Sequence, residues 1–301
     1  MHCQVCGEKN NIRLMRHVHG VPVYVCTVCG LGFVHPHTPR KPTHEIYSFA
    51  EYAKRESQFE KRYLYVIHEL GKLIDANERK SPMPLSVLEV GAGFGLLSKM
   101  LDEQGYNVTA LEPYVQPQYA VGTGVKHISK TLAQFVNVNT EQFDCIILFD
   151  VLEHVDDLHS TVQHIQNMLK PDGVVIIQTP NYKSLMQYLS KDWSWWMIED
   201  HRFFFDKQSF IRLFEANGMQ LALYKAYEDL QDFRKNTDGW LSNIQSDAVR
   251  RAFKIPLYGL VFSLRFLFLP FYRYGIGGLH LGYFRKTASK DRIGEWEHKS
   301  V

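Results

Sequence analysis

Only five of the 301 residues are cysteine, too few for a disulfide framework in a chain of this length. Neither sign of charge dominates: 34 Lys and Arg against 32 Asp and Glu leave +2, which argues against a chain-wide field for nucleic acid. The opening Met1-His2-Cys3-Gln4 lacks the apolar stretch of a signal peptide, so a cytoplasmic location is expected. A clean membrane-spanning run is missing too. The long apolar stretch from Ile255 to Tyr274 is broken by Pro256, Arg265, Pro270 and Arg273. A central Arg alone costs about 2.5–3.5 kcal/mol on insertion scales. What is present is 45% hydrophobic residues, enough over this length for a full α/β core and one small extra module.

Four of the cysteines form two pairs, Cys3-x2-Cys6 and Cys26-x2-Cys29. Two thiolates three positions apart on a tight turn can share one ion, and two such knuckles make a tetrahedral site. The spacing predicts a zinc ribbon over 1–44, with short strands at Ile12 to Met15 and Val21 to Val25. Gly7 and Gly30 follow each knuckle, where the chain needs a left-handed residue. Two redox dithiols are disfavoured, because no thioredoxin-like strand precedes either pair. A metal held by Cys3, Cys6, Cys26 and Cys29 has no open position and should be structural. Residues 1–44 carry Lys9, Arg13, Arg16, Arg40 and Lys41 against Glu8 alone. The ribbon can therefore be a structural element or a reader of an anionic partner. Cys145, within an apolar run, reads as a small buried hydrophobe.

The run Leu85 to Val90 is an apolar strand with an acid, Glu89, two places before Gly91-Ala92-Gly93-Phe94-Gly95. A helical stretch, Leu96 to Gln104, follows. Glycines there let the backbone turn sharply and approach a ligand. Their spacing differs from the Gly-x-Gly-x-x-Gly of dinucleotide sites. A second apolar strand, Tyr106 to Leu111, closes on Glu112, where a Rossmann-like fold places an acid on ribose hydroxyls. Phe143 to Phe149 then leads into Asp150-Val151-Leu152-Glu153-His154-Val155, and Leu169-Lys170-Pro171-Asp172-Gly173 leads into Val174 to Gln178. Short uninterrupted apolar runs between turn residues are what strands buried on both sheet faces require.

Together these segments resemble the class I S-adenosylmethionine-dependent methyltransferases, over about Leu85 to Tyr227 with a last strand near Leu279 to Lys286. The resemblance implies an α/β Rossmann-like sheet of seven strands, near 86–90, 107–112, 125–128, 144–149, 174–179, 220–227 and 279–286, the last antiparallel. It implies S-adenosylmethionine as cofactor, with Gly91, Ala92, Gly93 and Gly95 facing its methionyl part. Glu89 would order the loop or meet the ammonium, Glu112 would take the ribose diol, and Asp150 would open the cleft. Relatives often carry an acid after the third strand to meet the adenine amine. This chain has His127-Ile128-Ser129-Lys130-Thr131-Leu132 instead, leaving Ser129 or backbone for that contact.

His154 is the expected general base, since its ordinary pKa lies near working pH; the bland alternative is a histidine that caps the following helix. His201, followed by Phe203-Phe204-Phe205, is expected in the acceptor pocket. Asp150-x-x-Glu153-His154 also resembles the acid-x-x-Glu-His turn of ubiquinone-biosynthesis O-methyltransferases and small-RNA methyltransferases. There such side chains can hold a divalent metal, so Asp150, Glu153, His154 and His201 could hold Mg2+. Trp193, Trp195 and Trp196 lie where the chain passes over the acceptor cleft, and either stack on the acceptor or pack a lid.

The expected organisation is a zinc ribbon (1–44), a helical cap and linker (45–84), the sheet domain (85–227 and 279–290) and a helical insertion (228–278). From Ala248 to Lys290 there are eight Lys or Arg and no acid. Apolar bulk with cations and no acids fits a helix lying on an anionic membrane; a homodimer contact or a lid are the alternatives. The expected function is methyl transfer to a small-molecule or glycan acceptor, foremost O-methylation of a sugar or lipid-linked intermediate. Sugar C-methylation is next, on the resemblance of ribbon plus methyltransferase to deoxysugar and surface-polysaccharide enzymes. The large C-terminal domain of the sugar C-methyltransferases has no counterpart in this sequence. A methyltransferase of RNA or protein using the ribbon as reader is the third reading, with nucleic acid the less favoured partner.

Overall fold

The computed structural model describes residues 1–41, 50, 53, 59–75, 85–190, 193–228, 235–236, 240–241, 244–272 and 274–286. Most of the expected cap before Phe59, the linker Asn77 to Pro84, Arg273 and residues 287–290 lie outside these.

In chain order the strands are β1 (Ile12–Val18), β2 (Val21–Cys26), β3 (Gly32–Val34), β4 (Ser86–Val90), β5 (Asn107–Leu111), β6 (Lys126–Ile128), β7 (Phe143–Phe149), β8 (Leu169–Pro180), β9 (Phe203–Phe204), β10 (Met219–Tyr227) and β11 (Leu279–Lys286). The helices are α1 (Glu60–Asp75), α2 (Leu96–Glu103), α3 (Leu132–Val136), α4 (Leu158–Met168), α5 (Leu185–Leu189), α6 (Lys207–Glu215) and α7 (Asp247–Tyr272).

Seven strands make one sheet in the order β10-β11-β8-β7-β4-β5-β6. Strands β4 to β8 are mutually parallel, whereas β11 runs antiparallel to both β8 and β10. The central strands β4 and β7 and the second half of β8 are buried almost throughout, as their largely Val, Leu and Ile composition requires. From β4 the chain winds outward through β5 and β6, then crosses back to place β7 on the other side of β4. Open α/β sheets bind ligands at the carboxyl end of such a reversal. On one flank α1 buries Tyr63, Val66, Ile67 and Leu70, spaced three and four apart, in one apolar cluster with Leu97, Met100 and Leu101 of α2.

The ribbon is built as the cysteine spacing predicts, with one addition. Strands β1, β2 and β3 form an antiparallel sheet whose fourth strand is β9, from the main body, with Phe33 opposite Phe203 and Gly32 opposite Phe204. Leu31 and Phe33 belong to the same buried cluster as Leu88 and Val90 of the large sheet. Each such side chain contributes about 1.5–3 kcal/mol when fully buried, so ribbon and body are energetically one unit at this seam. Tyr182 adds a hydrogen bond, its hydroxyl donating to the Gly30 carbonyl at 2.6 Å.

Of the two readings offered for the three tryptophans, packing holds and stacking on the acceptor does not, although what they pack is not a lid. Trp193, Trp195 and Trp196 are all buried, clustered with Val18, Val23 and Val34 of the ribbon, and none lines the cleft. They fill the seam between ribbon and body. The described part of the insertion contains the long helix α7, and no helix among the described residues is long and apolar enough to cross a membrane.

Candidate active site

The loops after β4, β5 and β7 open into one cleft of about 480 Å3. That is within the range of small-molecule sites. Gly91 turns the chain out of β4 at φ 73°, and its N–H donates to the Leu111 carbonyl at 2.8 Å. Glycine is needed there twice over, because a Cβ would stand 2.4 Å from Val151 Cγ2 in the turn that follows β7. Ala92 donates to the same carbonyl at 3.0 Å, and Gly95 closes the loop with an N–H to the Ala92 carbonyl at 2.9 Å. Behind the loop, buried Glu89 accepts from the Ser98 hydroxyl in the first turns of α2.

Glu112 lies at the end of β5 and is buried. Its Oε2 accepts the Gly93 N–H at 3.0 Å and its Oε1 the Tyr114 N–H at 2.8 Å. A carboxylate offers about four acceptor sites, so these bonds fix it while leaving capacity for a diol. Ser129 is exposed and stands outside the cleft wall, its hydroxyl 3.5 Å from the Glu112 carbonyl. The wall there is made by Lys130, Thr131, Leu132 and Ala133. The pattern Ser129-Lys130-Thr131 carried no signal for which of its polar groups would turn inward.

Asp150 adopts φ 54°, a left-handed conformation that a short carboxylate side chain tolerates. Gln178 grips it twice, donating from Nε2 to Oδ1 at 2.7 Å and accepting the Asp150 N–H at 3.1 Å. Its Oδ2 lies 3.6 Å from Arg62 Nη2 on α1. Arg62 lines the cleft between Phe59 and Tyr63, a cation on an apolar helix face that sequence reasoning passed over.

The turn Val151 to Val155 holds the segment that carries His201. The Glu153 carbonyl accepts the N–H groups of Arg202 and Phe203 at 2.7 and 3.2 Å. This places the His201 ring edge-on to His154, centroids 4.7 Å apart. His154 lines the cleft, with Nδ1 3.1 Å from Asp200 Oδ1 and Nε2 3.9 Å from Glu153 Oε1. Burial disfavours a charged His154, but the Asp200 and Glu153 carboxylates outweigh it and raise its pKa. Burial lifts the Glu153 carboxyl to about 8. Burial and the neighbouring His154 push His201 well below its usual value, so it stays neutral. His201 is buried against Trp195 and behind His154, and does not itself line the cleft.

Asp200, fully buried, and Arg40 were not legible as site residues. Arg40 comes from the tail of the ribbon, reaches Asp156 at 3.3 Å and Asp200 at 3.8 Å, and lines the cleft.

Glu153, His154 and His201 bring one ligand atom each within 4.8 Å of one another, and Glu153 Oε1 has no hydrogen-bond partner. This donor set fits a divalent cation in kind but is wider than the ~3 Å edges of a Mg2+ octahedron with bonds near 2.1 Å. Asp150, the expected fourth ligand, is held by Gln178 and Arg62 and is not part of that group. The four ribbon cysteines fit better. Cys3 and Cys29 sulfurs are 3.4 Å apart, Cys6 and Cys26 sulfurs 3.6 Å, and all four lie within 4.8 Å. A tetrahedron of 2.3 Å zinc–sulfur bonds has edges of about 3.8 Å.

A family described as "Methyltransferase domain" matches residues 57–223, more than half of the sequence. The chain belongs to this methyltransferase family. Curated ubiquinone biosynthesis O-methyltransferases are similar to it. That of Haemophilus ducreyi is 33% identical over 114 residues, 34% of this chain and 48% of its own length. That of Serratia proteamaculans is 28% identical over 156 residues, 46% of this chain and 61% of its own. The methyltransferase-family chain thus spans about half the length of the curated relatives it matches. Among solved structures, the plantazolicin methyltransferase BamL, in complex with a triazolic desmethylPZN analog and SAH, aligns with a TM-score of 0.53 at 15% identity. The alignment covers 82% of this chain and 92% of that one, a likeness of fold.

Proposed function

We propose that the protein transfers a methyl group from S-adenosylmethionine to an oxygen of a small-molecule acceptor. The observation that carries this reading is the convergence, in one cleft, of the glycine cradle and Glu112 with His154 backed by Asp200. Bound there, the cofactor supplies an electrophilic methyl on a sulfonium sulfur. Gly91 to Gly95 and Glu112 hold and orient it, and alignment of the two reactants is the larger part of such catalysis. With Nδ1 turned to Asp200, His154 Nε2 is the nitrogen left to accept the acceptor's hydroxyl proton. As the methyl group passed to the acceptor oxygen, His154 Nε2 would take up and hold the hydroxyl proton, with Asp200 steadying the resulting imidazolium through Nδ1.

The acceptor class we favour is a sugar or lipid-linked intermediate, with C-methylation of a sugar as the alternative. The names of the curated relatives support O-methylation of a small molecule in general. Burial of the tryptophans between ribbon and body supports a structural ribbon, holding zinc through Cys3, Cys6, Cys26 and Cys29, over a reader of RNA or protein. A second reading, Mg2+ held by Glu153, His154 and His201, is favoured by the unpartnered Glu153 Oε1 alone.

Labelled cofactor with a panel of sugar nucleotides, lipid-linked sugars and phenols tests the proposal. His154→Ala should lower turnover by about 10²–10⁴-fold, the usual loss for a general base, while calorimetric affinity for S-adenosylhomocysteine stays unchanged. Absence of S-adenosylhomocysteine binding to the intact protein would overturn the reading. Loss of activity on chelation, restored by Mg2+, would replace the simple base with the metal.

A further inference from the structure

S-adenosylmethionine ends in an α-amino acid, whose carboxylate calls for a cation in a cleft that withdraws it from water. Among the described residues, three Lys or Arg side chains line the cleft: Arg40, Arg62 and Lys130. Their places on the fold separate them. Lys130 follows β6, in the wall beside Glu112. Arg40 stands on the His154 side, 3.3 Å from Asp156 and 3.8 Å from Asp200. Arg62 projects from the first turn of α1 and lies 3.6 Å from Asp150 Oδ2, just past the end of β7.

The Arg62 guanidinium is placed before any ligand arrives. Its side chain is only 9% exposed, and its guanidinium carbon lies 4.1 Å from the Phe59 ring centroid and 5.6 Å from that of Tyr63. Tyr63 stacks in turn on Phe149, the residue before Asp150, with centroids 6.0 Å apart. Aromatic faces steady a guanidinium while leaving the N–H groups of its edge for an anion. The pair with Asp150 is loose, since 3.6 Å exceeds hydrogen-bond length. Asp150 itself is fixed from behind, its Oδ1 accepting from Gln178 Nε2 and the Gln178 Oε1 accepting from the Tyr227 hydroxyl. A cation and an anion set side by side at this spacing match the two ends of an α-amino acid.

We propose that Arg62 binds the α-carboxylate of the cofactor, with Asp150 beside it for the α-ammonium, an inference that rests on the S-adenosylmethionine reading above. The sheet order selects Arg62 from the three cations. Strands β7, β4, β5 and β6 are successive neighbours. Glu112, closing β5, marks the ribose, and Lys130 to Ala133 wall the cleft on its β6 side. The glycine loop after β4, the partner of the methionyl chain, lies on the other side, and Asp150 with Arg62 comes next after it. The amino-acid end therefore runs toward Arg62 and away from Lys130. The cap helix thus closes on the cofactor through a charge as well as through its apolar face.

Calorimetry tests this without an acceptor, using S-adenosylhomocysteine and its decarboxylated analogue, which keeps the ammonium and lacks only the carboxylate. The intact protein should prefer S-adenosylhomocysteine by about 10–100-fold, the range for a hydrogen bond to a charged group. In Arg62→Met that preference should vanish while the affinity for the analogue stays as in the parent. Arg62→Lys, which keeps the charge without the planar fork, should restore part of it. An unchanged preference in Arg62→Met overturns the inference and leaves Arg62 to an anionic group of the acceptor. Equal weakening of both ligands also overturns it, making Arg62 a structural residue of the cap. Intact protein that binds neither ligand overturns the cofactor reading itself, and the inference with it.

Discussion

Replacing Gly91 with alanine probes the cofactor cradle where its geometry is most constrained. At φ 73° a residue bearing a Cβ is left-handed, which costs about 1–2 kcal/mol. The new Cβ would also meet Val151 Cγ2 at 2.4 Å, and such overpacking costs about 1–3 kcal/mol. The two together amount to about 2–5 kcal/mol, a sizeable share of the 5–15 kcal/mol that holds an ordinary domain. Gly105 separates the two contributions, being left-handed at φ 85° with nothing within 4 Å of a built Cβ. Gly105→Ala should show the conformational cost alone. Val151→Ala in the Gly91→Ala background should recover the steric part, a coupling of about 1–3 kcal/mol in a double-mutant cycle. Urea unfolding gives the stabilities, and calorimetry with S-adenosylhomocysteine reports whether the loop has instead shifted to make room. Gly91→Ala within about 0.5 kcal/mol of the parent with normal affinity would refute the account, since that is the size of an ordinary surface change. So would a cycle with no coupling to Val151.

Two further outcomes are expected. Elemental analysis should find one zinc per chain, and chelation or Cys26→Ser should alter tryptophan fluorescence as well as the ribbon, because Trp193, Trp195 and Trp196 pack on ribbon strands; zinc-free protein with native fluorescence would exclude this. His280 is buried against Phe210, with Nδ1 2.7 Å from the Tyr224 hydroxyl, and burial lowers its pKa to about 4. Between about pH 6.5 and 4 the unfolded chain binds this proton and the folded one does not, so stability is full above pH 6.5 and falls as pH drops. At pH 5 the loss is about 2 kcal/mol, and urea unfolding of His280→Gln should lack that share of the pH dependence.

The large sheet was legible because its strands are self-contained signals. Cys145 to Leu148 and Val174 to Ile177 are apolar without interruption, and only a doubly covered strand uses such a run. The glycine loop and Glu112 were legible for a similar reason, since backbone turns and strand-end acids are written locally. Strand β9 was not, because two phenylalanines become a strand only against Phe33 and Gly32, far away in the chain. The tryptophans were left between two readings on the same ground: an aromatic loop looks alike whether it covers a ligand or fills a seam. Asp200 and Arg40 are separated by most of the chain, and no local pattern marks the carboxylate they share with His154.

The shared strand also bears on how the protein is made. The ribbon's cysteines and β3 leave the ribosome early, but the strand that completes their sheet is about 170 residues behind. At synthesis rates of about 5–20 residues per second that is a wait on the order of ten to thirty seconds. During it the edge of β3 and the apolar faces of Leu31 and Phe33 lie uncovered. If the four cysteines take up zinc, early capture would hold the knuckles in shape through that interval, and a cell short of the metal would lose the protein chiefly as aggregated nascent chains rather than as a folded, metal-free form.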